Sequence, residues 1–153
     1  MSTLKNKGAV VTGAASGIGK AIATAFIEAG ANVLLCDLNA EAVYAAASEL
    51  GNRASGRVTD VADEAQVDSA MRDARNSFGS LDIVVNCAGF GAIAPLTELS
   101  GDKWRSVLSV TLGGVFYGVK HGARQMLDQG HPGVIINISS VNARQAGEGQ
   151  VAY

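Results

Sequence analysis

Thr12-Gly13-Ala14-Ala15-Ser16-Gly17-Ile18-Gly19 follows the apolar run Ala9-Val10-Val11 and opens an amphipathic segment from Lys20 to Ala29. Strand, glycine turn and helix in that order let backbone N–H groups and a helix N-terminus meet a phosphate. Gly13 permits the tight turn. Gly17 lets the main chain approach a ligand with no Cβ in the way, and Gly19 lets the helix pack close to the strand. Ser16 adds a hydroxyl donor. A glycine-rich turn is weak evidence by itself, and what strengthens it is the acid that closes the next apolar run, Val33-Leu34-Leu35-Cys36-Asp37. Asp37 lies 18 residues past Gly19, near the offset at which a carboxylate grips a ribose diol.

Outward from this stretch the pattern alternates without a break. A strand over Gly8 to Gly13 leads to a helix over Ser16 to Ala29, and a strand over Asn32 to Asp37 leads to an alanine-rich helix over Ala40 to Leu50. A short strand near Arg57 to Thr59 ends at Asp60-Val61, before a helix over Asp63 to Phe78 whose first-turn acids suit the helix dipole. The apolar run from Leu81 to Asn86 reads as a strand covered on both faces. A loop carrying Pro95, a long helix over Gly101 to Gln129 and a strand over Val134 to Ile138 complete the series. Such alternation predicts an α/β fold, a doubly wound parallel sheet with right-handed crossovers and its ligand crevice at the C-terminal ends of the strands. No repeat or linker divides it, so residues 1–153 read as a single domain.

Composition narrows the classes. The chain has 153 residues, of which 48% are apolar and 17% charged, with a net charge of −2. That describes a globular domain large enough for a sizeable core. The charge balance provides no footprint for nucleic acid and no basic cluster for a membrane surface. No apolar run approaches the length of a spanning helix, and Met1 to Lys5 lacks the apolar core of a secretion signal, so a cytoplasmic location is expected. Cys36 and Cys87 read as ordinary buried thiols rather than a disulfide, and no metal site is expected. His121 and His131 read as structural or solvent-facing.

Polar residues at strand ends are the candidates for chemistry. The Asp60 carboxylate suits either an adenine amino group or the N-terminal cap of the helix after it. In Asn86-Cys87-Ala88-Gly89, small residues let a flat ring or a ribose lie against the backbone, while the Asn86 amide pins neighbouring strands. Ser139 and Ser140 close the fifth strand, and Tyr153 follows 13 residues after Ser140. A serine hydroxyl holds a carbonyl oxygen and a tyrosine hydroxyl gives or takes a proton. With an ordinary pKa of about 10, tyrosine needs a nearby cation to do so at neutral pH.

Together these motifs resemble the short-chain dehydrogenases/reductases over essentially the whole chain. Thr12 to Gly19 is similar to that family's TGxxxGxG loop, Asp60-Val61 to its adenine-side pair, and Asn86 to Gly89 to its NNAG motif with Cys87 in the second Asn position. Ile138-Ser139-Ser140 matches the strand bearing the catalytic serine, here Ser140, and Tyr153 falls on the catalytic tyrosine. The resemblance implies a Rossmann fold and hydride transfer between a nicotinamide and a small-molecule alcohol or carbonyl substrate. It implies Tyr153 as acid/base, Ser140 as holder of the reacting oxygen, and cofactor contacts from Gly13, Ser16, Gly17, Ile18, Gly19, Asp37, Leu38, Asp60, Val61, Asn86, Ala88 and Gly89. Because Asp37 repels a 2′-phosphate and Leu38 and Ser16 offer no compensating base, NAD is expected over NADP.

Two departures stand out. Thr111, in Thr111-Leu112-Gly113-Gly114-Val115-Phe116, occupies the place of an Asn that holds a relay water in the family, and a helical threonine tends to bond back one turn. The chain also ends at Tyr153, short of the family's lysine four residues on and of its last helices and strands. The expectation is therefore an N-terminal portion of a longer dehydrogenase, its sheet incomplete at the C-terminal side, inactive alone and oligomeric at full length. The substrate would be shaped by Phe90 to Leu96 and Val141 to Glu148, with Arg144 a candidate anchor for an acidic group. The competing expectations are a dinucleotide-binding module without chemistry and an S-adenosylmethionine-dependent methyltransferase, which shares the glycine loop but does not explain Ser140 and Tyr153.

Overall fold

The computed structural model describes residues 3–145 and 147–153. The apolar runs become strands β1 (Gly8–Thr12), β2 (Asn32–Asp37), β4 (Ile83–Asn86) and β5 (Val134–Asn137), and the more polar Ala54–Val58 becomes β3. All five pair in parallel, in the order β3-β2-β1-β4-β5. The expected α/β doubly wound sheet is therefore present. Successive side chains of a strand point to opposite faces, and here each set has its own core. Ala9, Val11, Val33, Leu35, Ile83 and Val85 belong to one buried cluster, which Ala23 and Val43 of the first two helices join. Val10, Leu34, Cys36 and Val84 belong to the other, with Val67, Met71 and Met126.

The helices on these faces start where short polar side chains cap them. After α1 (Gly17–Glu28), helix α2 (Ala40–Leu50) begins at Asn39, whose side chain accepts the Ala42 N–H at 3.0 Å. Asp63 caps α3 (Glu64–Phe78) by accepting from Ala65 and Gln66. Asp60 is thus not the cap of this helix: its carboxylate closes a smaller turn on the Ala62 N–H at 2.9 Å. Satisfying the orphan N–H groups of a first turn in this way contributes about 1 kcal/mol per cap.

Two elements differ from the sequence reading. Strand β3 starts at Ala54, earlier than expected, because its ladder is supplied by β2, from Val33 opposite Ala54 to Asp37 opposite Val58. The long helix is not uniform. It runs as α4 (Gly101–Leu108), a π-helical segment over Ser109–Gly114, and α5 (Val115–Asp128). Within the wider turn Thr111 Oγ1 donates to Val107 O at 2.7 Å. Gly114 lies so close to Val61 that a Cβ there would fall 2.8 Å from Val61 Cγ2. π segments inside helices are common at functional sites, and this one borders the crevice.

Strand order reverses between β1 and β4, so the loops leaving their C-terminal ends diverge and open a crevice. Beyond β4 the edge strand β5 leaves Val134 and Ile136, and Ile138 just past its end, partly exposed. Among the described residues no helix is long and apolar enough to cross a membrane.

Candidate active site

The crevice is a cleft of about 690 Å³ at the C-terminal edge of the sheet. Gly13, Ser16, Gly17, Ile18 and Gly19 line it from the turn after β1, Asp37 from the end of β2, and Ala88 and Gly89 from the loop after β4. Ser140 and Tyr153 line it from the segment after β5. Residues separated by more than a hundred positions thus share one wall.

The glycines act much as their positions predict. Gly13 has φ +65°, and a Cβ on it would fall 2.9 Å from Ala88 Cα, so the turn after β1 touches the loop after β4. A Cβ on Gly19 would fall 2.2 Å from Gly13 O, which brings the first turn of α1 hard against the strand end. Gly17 has φ +53° and nothing within 4 Å of where its Cβ would be. Its backbone faces open space. Ser16 occupies the N-cap position in extended conformation but makes no capping hydrogen bond, and no acid occupies the first turn of α1. This helix N-terminus keeps its positive end and its free donors for an anion.

Asp37 is braced. Its Oδ2 accepts the Ala15 N–H at 3.1 Å and its Oδ1 the Asn39 N–H at 3.0 Å. The carboxylate therefore ties the glycine turn to the end of β2 and is the only charged residue lining this cleft among those described.

Four of the expected contacts stand outside the cleft wall. Leu38 is largely exposed beside Asp37. Asp60 lies two residues past the end of β3 with one carboxylate oxygen engaged by Ala62, although Thr59 N donates to Asp37 O at 2.8 Å and holds this segment beside β2. The Val61 side chain is buried against Gly114. Asn86 is buried and donates from Nδ2 to Asn137 Oδ1 at 2.8 Å, pinning β4 to β5 as its amide suggests.

The reacting end is built differently. Ser140 caps a short 3-10 turn (Val141–Ala143) by accepting the Asn142 N–H at Oγ, 3.2 Å. That contact uses a lone pair and leaves the Ser140 proton free to donate. Tyr153 is half-exposed, its backbone N–H held by Gln150 O at 3.0 Å. Arg144 is exposed and lines neither this cleft nor its neighbour.

Two residues that stand inside the quoted motifs, but to which the sequence assigns no cofactor contact, matter for this geometry. Thr12 is buried, and its hydroxyl oxygen accepts from both Cys87 N (3.0 Å) and Ala88 N (3.1 Å), fixing the loop after β4 to the end of β1. Cys87 is not a plain buried thiol: it is half-buried and lines the cleft, and burial pushes its pKa up. Cys36 fits the simpler expectation, its thiol pushed up to about 11 chiefly by burial. Thr111 and Val115, from the π segment and the start of α5, also line the cleft.

His121 is buried between α3 and α5, with Nε2 3.0 Å from Glu64 Oε1 and Nδ1 3.0 Å from Asp68 Oδ1. Its place is structural and away from the cleft. Lys120, and then His121, hold the Glu64 carboxyl below its ordinary value.

Comparison with known proteins agrees with this geometry. The family model described as short chain dehydrogenase matches residues 7–153. The chain is 40% identical over 154 residues to a protein named 3beta-hydroxysteroid dehydrogenase 2 from Eggerthella lenta, covering 98% of this chain and 59% of the relative. It is 43% identical over 153 residues to D-threitol dehydrogenase from Mycolicibacterium smegmatis, covering 98% and 58%. It is 36% identical over 142 residues to sorbitol dehydrogenase from Cereibacter sphaeroides, covering 93% and 56%. The chain thus spans a little under three fifths of the length of these curated relatives.

Proposed function

The chain belongs to the short-chain dehydrogenase family, and from that premise we propose that its cleft holds NAD(H) beside an alcohol or carbonyl substrate. One observation carries the reading: the glycine turn, Asp37, Ser140 and Tyr153 line a single cleft. The residues suit a dinucleotide, because Gly17 leaves open space where a Cβ would stand and the N-terminus of α1 carries uncommitted donors.

When bound, the nicotinamide supplies the hydride chemistry. Backbone N–H groups at Ser16 to Gly19 hold the pyrophosphate, and Asp37 accepts from the adenosine ribose hydroxyls. Leu38, Asp60 and Val61 flank the adenine end. Ala88 and Gly89, on a loop that Thr12 fixes to the end of β1, would lie against the cofactor. Ser140 donates to the reacting oxygen, and Tyr153 holds or accepts the proton at its phenol oxygen. Asp37 excludes a 2′-phosphate, since no cation among the described residues lines the cleft to offset the repulsion. The exposed apolar side chains Leu112, Phe116 and Val119 on the outer side of the long helix suit pairing between subunits in the whole protein.

The test is a titration. NADH binds at least about tenfold tighter than NADPH, a difference of about 1.4 kcal/mol, and Asp37→Ala narrows that gap. Equal affinities in the unaltered chain would show that Asp37 is not at the ribose.

A second reading, a dinucleotide-binding module without chemistry, draws on Thr111, whose hydroxyl is committed to Val107 O. Substitution of Tyr153 by Phe in the whole protein separates the two. Loss of about 10²–10⁴ in kcat with cofactor affinity retained supports catalysis, and alcohol oxidation absent from the unaltered protein favours the binding module.

A further inference from the structure

A second cleft, of about 380 Å³, lies beside the first, and Tyr153 and Asn142 line both. It is therefore contiguous with the reacting end of the dinucleotide cleft. Besides Asn142 and Tyr153, its walls come from residues 94–96 and from Gly147, Gly149, Gln150 and Val151, and Ala94 N joins the two segments by donating to Gly149 O at 2.9 Å. The turn carrying Gln150 also holds Tyr153, through the Tyr153 N–H to Gln150 O bond at 3.0 Å. Position at Gln150 is thus coupled to position at Tyr153.

The chemistry of the walls is specific. Ala94, Pro95, Leu96 and Val151 are apolar, and none of the described residues that line this cleft is charged. Arg144, two residues past Asn142, is exposed and lines neither cleft. An anionic substrate entering here would lose hydration with no counter-charge to offset the loss. The polar groups are two amides, both half-buried: Asn142 donates from Nδ2 to Gln150 Oε1. That bond uses one donor and one acceptor. Asn142 Oδ1 is left to accept and Gln150 Nε2 to donate, a combination that a hydroxyl, being both donor and acceptor, satisfies and a carboxylate does not.

Resting on the dehydrogenase reading above, we propose that the Asn142–Gln150 amide pair is a specificity device. It selects uncharged substrates that carry a second hydroxyl on an apolar carbon chain away from the reacting carbon. It discriminates against hydroxy acids.

The probes are chosen so that only the remote group varies. Butane-2,3-diol, pentane-2,4-diol and hexane-2,5-diol are each compared, in the whole protein with NAD, against the 2-alkanol of equal chain length and against 3-hydroxybutanoate. At least one diol exceeds its mono-ol in kcat/KM by about tenfold or more, and 3-hydroxybutanoate falls below 2-butanol. In Gln150→Leu the diol-to-mono-ol ratio falls to within about twofold of unity. Gln150→Lys sets a cation where none stands and raises 3-hydroxybutanoate relative to 2-butanol by about tenfold or more, a gain that misfolding cannot mimic. Turnover of alcohols with no preference for any diol, or with 3-hydroxybutanoate preferred, overturns this assignment and leaves the dehydrogenase reading standing. No turnover of any alcohol while NADH still binds overturns both.

Discussion

Gly17 and Gly19 stand two residues apart in one turn, yet alanine at each acts on a different property. A Cβ at Gly19 would fall 2.2 Å from Gly13 O, 2.8 Å from Gly13 C and 3.1 Å from Ala14 Cα. Comfortable non-bonded contacts lie near about 3.5 Å, so the start of α1 must retreat by more than about 1 Å. Overpacking of this kind costs about 1–3 kcal/mol, and rigid backbone on both sides places Gly19→Ala at the upper end. At about 2–4 °C per kcal/mol for a chain of this size, the melting temperature falls by about 6–12 °C. At Gly17 nothing stands within 4 Å, and only the φ of +53° resists substitution. The left-handed conformation costs alanine about 1–2 kcal/mol, of which about 0.4–1 is returned by the stiffer unfolded chain. Gly17→Ala therefore melts only about 2–4 °C lower. Its methyl group, however, projects into the open space proposed here for the pyrophosphate, and NADH affinity falls by about tenfold or more. Thermal melts followed by circular dichroism measure the first effect. Fluorescence titration with NADH, at a temperature where both variants are folded, measures the second. Wild-type affinity in Gly17→Ala, or an unchanged melting temperature in Gly19→Ala, would refute the division of roles.

Replacing Thr12 by Val preserves shape but leaves the Cys87 and Ala88 N–H groups without their acceptor. The midpoint of urea unfolding falls by the equivalent of about 2–3 kcal/mol at unchanged slope, and Thr12→Ser recovers most of it. Asp82 predicts a pH effect at the opposite edge of the sheet. Burial alone would raise its pKa, but hydrogen bonds from Lys7, Ser80 and the Gly8 N–H outweigh this and hold it below the ordinary carboxylate value. A depressed folded pKa adds stability that is full above the unfolded value of about 3.9 and is lost as pH falls through the lower folded value. In Asp82→Asn the decline of stability below about pH 4 is accordingly shallower, which unfolding midpoints across that range measure.

Much of the site was legible before any coordinates. Gly13, Gly17 and Gly19 announce a turn by composition, and Asp37 is found by its offset from them. These are local signals. Ser140 and Tyr153 are found through the resemblance of Ile138-Ser139-Ser140, and of the spacing to Tyr153, to the dehydrogenase motifs. Cys87 was misread because its run looks like any buried strand end, and of the two readings open for Asp60 the cap fell instead to Asp63, three residues on. Asn142 fell within the stretch expected to shape the substrate, but Gln150 and its pairing with Asn142 carried no signal. Their pairing exists only because the segment after β5 folds back on itself.

What the sequence determined by itself is the order and type of the elements, since hydrophobic period and glycine punctuation act over a few residues at a time. It also determined the sheet edge at which polar residues would gather, because parallel strands joined by right-handed crossovers put every strand's C-terminal end on the same side. Tertiary structure alone decided which of those ends touch. The Thr12 hydroxyl meets Cys87 N across 75 positions, β3 exists where β2 offers it a ladder, and the second cleft forms where Gly149 O meets Ala94 N. Contacts of that kind depend on register between strands and on close packing. Both are properties of several segments at once, and no single window of sequence holds them.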